Sequence, residues 1–253
     1  MRRVLRIALH VCVASWASGV LAQTDEIQVY DAEITAPGQF NLTWHNNFTP
    51  SGRTQPDYPG AVVPDHTLNG VPEWAYGVTD WFEAGMYLPV YSYTSDGRLL
   101  FDGMKLRALF VVPHAHDRMF FYGLNFELSY NKSYWESSRY SGEIRPIVGA
   151  HLGRFDLILN PILDTQFNGA GKLDFAPAVR VAYNVNDKVA VALENYSDFG
   201  PVQHFQSSSQ QAQTLFAVFD YGSSSNGLEF GVGHGLTGAS DSVVLKLMLM
   251  HDL

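Results

Sequence analysis

Apolar and polar residues alternate along most of this chain. From position 122 to 130, Tyr, Leu, Phe, Leu and Tyr occupy the even positions, whereas Gly, Asn, Glu and Ser occupy the odd ones. From 175 to 185, Phe, Pro, Val, Val, Tyr and Val fall on the odd positions, with Ala, Ala, Arg, Ala and Asn between them. Successive side chains of a β-strand point to opposite faces, so the pattern predicts strands with one apolar and one polar face.

Twelve segments show this alternation, and most have the roughly 9–11 residues that a tilted strand needs to cross a bilayer. They span 38–48, 68–78, 81–93, 99–112, 118–131, 139–152, 155–164, 173–185, 188–198, 211–221, 227–236 and 242–252. An even number of such strands is typical of outer-membrane barrels. The sequence therefore predicts an all-β fold: a single transmembrane antiparallel β-barrel of about 12 strands after a cleaved signal peptide, filling residues 38–253.

The connections between these segments alternate in length. Short turns at 78–80, 113–117, 153–154, 186–187 and 222–226 are interleaved with longer links at 49–67, 94–98, 132–138, 165–172 and 199–210. Only the hairpin at 237–241 departs from the series of long links. Because outer-membrane barrels have short periplasmic turns and longer outer loops, we expect both termini on the periplasmic side and residues 49–67 and 199–210 outside the cell.

A soluble periplasmic β-sandwich or lipocalin-like barrel would show the same alternation with its faces reversed. Twelve strands exceed what a small soluble barrel needs, and the polar faces are rich in Gly and Ala rather than in Lys and Glu. Aromatic residues recur near segment ends, as expected of an interfacial girdle. The girdle candidates are Trp74, Trp81, Tyr91, Tyr122, Tyr130, Tyr183 and Tyr196. These features favour the membrane interpretation.

The first 22 residues have the pattern of an export signal. Three arginines precede a short apolar stretch, and Val-Leu-Ala at 20–22 predicts cleavage before Gln23. The single cysteine, Cys12, would be removed with it, which excludes disulfides and thiolate metal sites in the mature chain. Residues 23–37 mix charged residues with Ile and Val, and three interpretations stay open: a periplasmic N-terminal segment, an inserted plug or an extra strand segment.

Charge narrows the set of partners. Of 16 basic residues, three lie in the predicted signal, so 13 basic and 25 acidic residues remain in the mature chain and its net charge is −12. An acidic chain without a basic cluster argues against nucleic-acid binding. We expect the partners to be outer-membrane lipids, the barrel assembly machinery and a small-molecule solute. No cofactor is expected, and the sequence does not indicate the oligomeric state.

If the apolar faces meet lipid, the charged residues between them line the lumen. The lumen-lining candidates are Glu83, Lys105, Arg107, Glu127, Glu143, Arg145, Asp156, Arg180, Lys188, Glu194, Asp220, Glu229 and Lys246. Buried charges must be paired or hydrated, so they form either a structural ion-pair network or the wall of a permeation path. The cross-strand register is unknown from sequence, so individual pairs cannot be assigned.

Two local motifs resemble reactive sites without meeting the requirements of one. His114 and His116 lie in a predicted turn, whereas a zinc site needs three or four ligands. The serines of 222–227 have no histidine at a fixed offset on the same face, so a flexible turn is the simpler interpretation. We expect no catalytic or metal-binding residue.

Three stretches resemble a known family. Tyr76–Pro89 is similar to a short-turn hairpin, and Gly233–Leu253 is similar to the last hairpin and closing strand, of the outer-membrane transporter family named for the phenol-degradation meta pathway. Residues 160–200 are similar as well. The resemblance implies passage of small, often aromatic or apolar, compounds across the outer membrane, and it carries no catalytic residue. The chain ends His-Asp-Leu, whereas many outer-membrane barrels end in an aromatic residue that the assembly machinery recognises.

The leading hypothesis is therefore an outer-membrane channel or passive transporter for small compounds, and not an enzyme. Two alternatives stay open. A lipid-modifying enzyme would need Ser, His and an acidic or amide partner converging near the outer rim. A structural or surface-interaction barrel would have a closed lumen and would work through its long loops.

Overall fold

A computed structural model describes residues 26–169 and 172–253, and the predicted signal peptide lies outside these ranges. Within them the chain forms one antiparallel sheet that closes on itself, because the first strand segment pairs with both the second and the last. The strand segments are β1 (Phe40–Ser51), β2 (Thr67–Gly77), β3 (Phe82–Tyr87), β4 (Tyr91–Tyr93), β5 (Leu99–Phe101), β6 (Met104–Val111), β7 (Phe120–Tyr130), β8 (Tyr140–Leu152), β9 (Phe155–Asn160), β10 (Leu163–Thr165), β11 (Asp174–Phe175), β12 (Ala178–Asn186), β13 (Val189–Asp198), β14 (Ala212–Gly222), β15 (Asn226–Gly235) and β16 (Val243–Asp252), with one 3-10 turn at Ala115–Asp117.

These sixteen segments make twelve barrel strands in the described part of the chain, because four strands are each split in two. β3 and β4 both pair with β2, and β9 and β10 both pair with β8. β5 and β6 form a third split strand, and β11 and β12 form the fourth. Three of the four breaks contain a proline, at 89, 161 and 177, which cannot donate a ladder hydrogen bond. The predicted strand number is confirmed, and the predicted bounds lie within three residues of the observed ones.

The two faces of the strands differ as the alternation predicts. On β7, which pairs with β8 from Phe120–Ala150 to Tyr130–Tyr140, the outward side chains of Tyr122 and Leu128 are 64% and 49% exposed. Asn125 and Glu127, between them, are buried in the interior. Large apolar side chains are exposed in this way all around the barrel wall. A closed sheet with an apolar exterior satisfies every backbone group within lipid, so the protein is a transmembrane β-barrel of the outer-membrane type.

The two ends of the barrel differ in their connections. At the short-turn end, the turns near 78–81, 112–119, 153–154, 187–188 and 223–225 join neighbouring strands, and both Phe40 and Asp252 lie there. At the long-loop end lie residues 52–66, 131–139, 166–169, 172–173, 199–211 and 236–242. In the ranges that the structure describes, no helix is long and apolar enough to cross a membrane.

The 52–66 loop is tied to its neighbours at the long-loop end. Arg53 forms ion pairs with Asp57 and, at 3.1 Å, with Asp241. The backbone N–H of Val62 donates a 2.8 Å hydrogen bond to the carbonyl of Tyr134. The loop is therefore held over the barrel mouth and does not extend freely into solvent.

Candidate functional site

The candidate site is the barrel lumen, and the chain's own N-terminal part enters it. We define the luminal segment as residues 26–37. Its Tyr30 is clamped by one side chain: the Tyr30 N–H donates to Asn160 Oδ1 at 2.7 Å, and Asn160 Nδ2 donates to the Tyr30 carbonyl at 2.9 Å. Both residues are buried. One amide on the barrel wall therefore satisfies both backbone groups of Tyr30, as a paired strand would.

The Tyr30 side chain is the centre of a second set of contacts. Its ring lies 4.2 Å from the Arg145 guanidinium and 5.5 Å from that of Arg107, within cation–π range of both. Its hydroxyl lies 2.6 Å from the Tyr87 hydroxyl and donates to Glu127 at 3.3 Å. The Tyr30 side chain thus connects the luminal segment to four strands of the barrel wall: β3, β6, β7 and β8.

Further contacts follow the segment from mid-lumen to the short-turn end. Arg145 Nη1 donates to the Gln28 carbonyl at 3.1 Å, and the Thr35 N–H donates to Glu83 Oε2 at 2.6 Å. Val29 and Ala32 pack into an apolar cluster with wall residues that include Phe121. Pro37 forms an isolated bridge with Gly77, which brings the chain to the start of β1.

Two ion-pair networks line the lumen beside the segment. In the first, Arg107 Nη2 lies 2.7 Å from Glu73 and 2.5 Å from Glu83. In the second, Lys246 Nζ lies 2.5 Å from both Glu194 and Glu229, and Arg180 bonds Glu194, Asp220 and Glu229. Each network contains one more acid than base.

The segment lies between two cavities. The larger, about 390 Å³, is at the short-turn end and is lined by Gln28 to Thr35 together with the turns near 187 and 224. The smaller, about 140 Å³, is at the long-loop end and is lined by Glu26, Ile27 and the loops that cover that end. The luminal segment therefore separates an inner from an outer cavity.

Asp31 is an acidic residue of the segment whose pKa is shifted by its surroundings. Burial raises the pKa of its carboxyl to about 7, and the nearby charge of Glu33 adds to the effect. Two interactions lower this pKa: the 3.0 Å hydrogen bond that the Glu33 N–H donates to the Asp31 carboxylate, and the positive charge of Arg180. Burial outweighs both of them.

The structure places the thirteen lumen-lining candidates in three different environments. Glu83, Lys105, Arg107, Glu127, Glu143, Arg145, Glu194 and Lys246 are buried in the interior. Asp156, Arg180, Asp220 and Glu229 are half-buried and line the inner cavity. Lys188 is exposed in the turn before β13, at the rim of that cavity. Asp156 belongs to neither network: it is hydrogen-bonded to His151 and Asn184, both at 2.6 Å.

Sequence reasoning missed several residues of the site and misplaced one. Glu73 and Asp164 line the lumen or its outer cavity, and both lie on the inward-facing positions of their strands, so the alternation could have identified them. Tyr30 and Asn160 have no sequence signal, because their contact spans 130 positions. Tyr196, expected in the outer aromatic girdle, points inward instead: its hydroxyl donates to Glu194 at 2.7 Å and its ring packs against Phe216.

The fold and the lumen together define a class: a twelve-strand outer-membrane-type barrel whose interior is charged and occupied by an internal segment. No protein-family model and no curated protein matches the sequence. Among solved structures, the chain is similar to the COG4313 outer membrane channel from Pseudomonas putida F1, with a TM-score of 0.59 and 15% identity over 90% of this chain and 100% of that one. At this identity the likeness supports the fold alone.

Two further solved structures are more distant. The translocator domain of autotransporter NalP from Neisseria meningitidis has a TM-score of 0.46 and 9% identity, over 87% of this chain and 90% of that one. LpxR from Salmonella typhimurium has a TM-score of 0.41 and 8% identity, over 83% of this chain and 99% of that one. Neither likeness is close enough to carry an argument about function.

Proposed function

We propose that this protein is an outer-membrane channel for small molecules and that its luminal segment closes the channel at rest. The observation that carries the proposal is the pair of cavities at opposite ends of one lumen, separated by a short segment. A stretch from Glu26 to Pro37 is a small obstruction compared with a folded plug domain, and displacing it would join the two cavities.

The contacts of the segment support a removable closure. Gln28, Tyr30 and Thr35 are held to the wall by hydrogen bonds, which water can replace when the segment leaves, whereas Val29 and Ala32 add apolar contacts. An apolar core does not allow such replacement. The charged wall that remains is the kind of lining that outer-membrane channels present to water.

The proposal includes three finer points drawn from the sequence. Residues 1–22 direct export, the assembly machinery inserts the barrel in the outer membrane, and the solutes are small compounds with an aromatic or apolar body. The solute class follows from the resemblance to the phenol-degradation meta pathway transporters, and the outer-membrane location is supported by the fold shared with the channel from Pseudomonas putida F1.

A liposome swelling assay tests the channel. Folded wild-type protein and a variant lacking residues 26–36 are reconstituted separately, and entry of small sugars is followed by light scattering. We expect slow swelling with the wild type and fast swelling with the deletion variant. A deletion variant that is folded, as judged by its β-sheet circular dichroism, and yet admits no solute contradicts the proposal.

The occupied lumen also favours a second candidate, a closed barrel that works through its outer loops. Removing the central parts of loops 52–66 and 199–211 separates the two functions. A channel keeps its permeability to small solutes after both loops are shortened, whereas a surface-interaction barrel no longer binds its partner. For the enzyme alternative, no serine hydroxyl in the described ranges hydrogen-bonds to a histidine ring, the arrangement that a serine hydrolase needs.

A further inference from the structure

Three carboxylates lie side by side on the inner face of the barrel wall. Glu127 on β7 is the direct cross-strand neighbour of Glu143 on β8, and Glu143 is the direct neighbour of Asp164 on β10. Like charges placed directly opposite each other destabilise a sheet. This acidic row therefore requires positive charge close by.

The residues that the structure describes supply part of that charge. Lys105 and Arg145 face the row, and Arg145 donates to Glu143 at 2.6 and 2.9 Å and to the Gln28 carbonyl at 3.1 Å. Glu26 of the luminal segment adds a fourth carboxylate to the same region. In the described part of the chain, these four acids thus face Lys105, Arg145 and Arg107, and Arg107 is shared with Glu73 and Glu83.

Two of these carboxylates are left without a close partner. Glu26 is completely buried, neither of its oxygens accepts a hydrogen bond, and Arg145 lies 3.7 Å away. Asp164 is half-buried, and no described residue hydrogen-bonds to its carboxylate or forms an ion pair with it. A carboxylate that is shielded from water and has no close partner is costly, so Glu26 and Asp164 are suited to receive a cation between them.

Glu26 and Asp164 both line the outer cavity. The cavity's other acids are already engaged: Asp57 and Asp241 pair with Arg53, Glu143 pairs with Arg145, and Asp198 accepts a hydrogen bond from the Gly200 N–H. Its remaining walls are largely apolar or aromatic. They include Val62, Tyr134, Trp135, Ile162, Phe216 and Val244.

We propose that the outer cavity binds a small organic cation, an amine with an aromatic or aliphatic body, between Glu26 and Asp164. An ammonium group satisfies the two carboxylates that lack a close partner, and the aromatic walls favour both the cation and its apolar body. At about 140 Å³ the cavity has the size of one that takes up benzene, about 150 Å³, so one ring with a short chain fits. The inference deepens the proposed function, since it makes the channel selective for cationic solutes.

Three ligands that share a ring and differ in charge test the site: 2-phenylethylammonium, 2-phenylethanol and phenylacetate. Binding to folded wild-type protein in detergent is measured by calorimetry near neutral pH. We expect the ammonium to bind at least about tenfold more tightly than the alcohol, and phenylacetate not to bind. Equal binding of alcohol and ammonium means that protons already neutralise the row, and it overturns the proposal.

The near-isosteric variant D164N isolates the charge. It should weaken ammonium binding by about tenfold and leave the alcohol unchanged. D117N is the matched control, because Asp117 is exposed in a turn at the other end of the barrel. Unchanged ammonium binding in D164N contradicts the assignment.

The selectivity of the pore is measured separately, so that the two proposals can fail independently. In a salt gradient, the barrel lacking residues 26–36 should show a reversal potential of cation selectivity, which D164N reduces. An open pore that prefers chloride contradicts the cation site but is compatible with the proposed channel function. A barrel that never conducts contradicts the proposed channel function, and calorimetry still decides whether the outer cavity binds cations.

Discussion

Tyr30 is the residue on which closure of the lumen depends most. It combines the Asn160 clamp on its backbone with two guanidinium groups on its ring and two partners on its hydroxyl. These contacts come from strands that are far apart in the sequence. A change at Tyr30 therefore tests whether these contacts hold the luminal segment in the lumen.

Tyr30→Ala should open the channel. The variant loses the ring and the hydroxyl, roughly 2–4 kcal/mol of contacts that hold the segment. Tyr30→Phe keeps the ring and loses one buried hydroxyl, about 1 kcal/mol, so it should raise the open fraction only about fivefold. The open probability of single channels in planar bilayers measures both.

Tyr122→Phe is the control, since Tyr122 points outward and is 64% exposed. It should leave the open probability unchanged. If Tyr30→Ala behaves like Tyr122→Phe, Tyr30 does not anchor the segment.

Asp31 should make closure depend on pH. The pKa of the Asp31 carboxyl is raised to about 7 while the luminal segment lies in the lumen. This pKa returns to the ordinary carboxyl range when the segment moves out and is hydrated. The seated state therefore takes up a proton, and this stabilisation is complete at low pH and is lost as the pH rises through about 7. The open probability should rise with pH across that range.

Asp31→Asn should remove this dependence and keep the channel closed at high pH, because the amide cannot ionise. Single-channel recordings over a pH series provide the measurement, with the exposed-turn variant Asp117→Asn as a control that keeps the dependence. A pH profile that Asp31→Asn does not alter would assign the titration to another group.

At the scale of the strand, small residues on the inner face make room for large ones. Gly149 of β8 lies against the ring of Phe121 on β7: a Cβ at Gly149 would come 2.1 Å from the Phe121 Cζ. Phe121 is 1% exposed and belongs to the apolar cluster that receives Val29. The absence of a side chain at position 149 therefore allows the wall to pack against the segment.

Gly149→Ala should destabilise the barrel by about 1–3 kcal/mol, because the ring of Phe121 must move out of a packed position. Urea unfolding in detergent or lipid, followed by tryptophan fluorescence, measures the change. Gly238→Ala is the matched control, since a Cβ there meets nothing within 4 Å. Equal unfolding midpoints for the two variants would contradict the packing argument.

The strands were predictable because a barrel in lipid imposes a local rule. Each outward position must be apolar, so the alternation in residues such as Tyr122, Phe126 and Leu128 gives the strand, its face and its length from sequence alone. The same parity placed Glu127 and Arg145 inside. The alternation does not give the register between strands, so the ion pairs of Arg180 with acids on three other strands could not be predicted from sequence.

The luminal segment was not predictable for a different reason. Its sequence suits a tail, a plug or a strand equally well, because nothing in residues 26–37 themselves decides between these. Its position depends on wall residues such as Asn160 and Arg145, more than 100 positions away. Only the closed barrel brings those partners together around it.

For the whole molecule, closure of the sheet gives the chain two surfaces in different environments, an outer face in lipid and an inner face around the lumen. The apolar side chains of the outer face suit contact with lipid, and the inside is an acidic lumen in which the ion-pair networks lie. The luminal segment lies inside the barrel without being part of its wall. Movement of this segment, with the barrel unchanged, is how we expect the lumen to open.

The most direct test of this account asks whether the segment lies inside the barrel in a membrane. The predicted mature chain has no cysteine, so Val29→Cys, near-isosteric and only 6% exposed, introduces a unique thiol, with exposed Ser207→Cys as the control. Labelling by a bulky maleimide is timed in vesicles. We predict that Cys at 29 is protected while Cys at 207 reacts fast, and that adding Tyr30→Ala abolishes the protection. Equal labelling rates at the two positions without that second change would contradict a lumen closed by its own N-terminal segment.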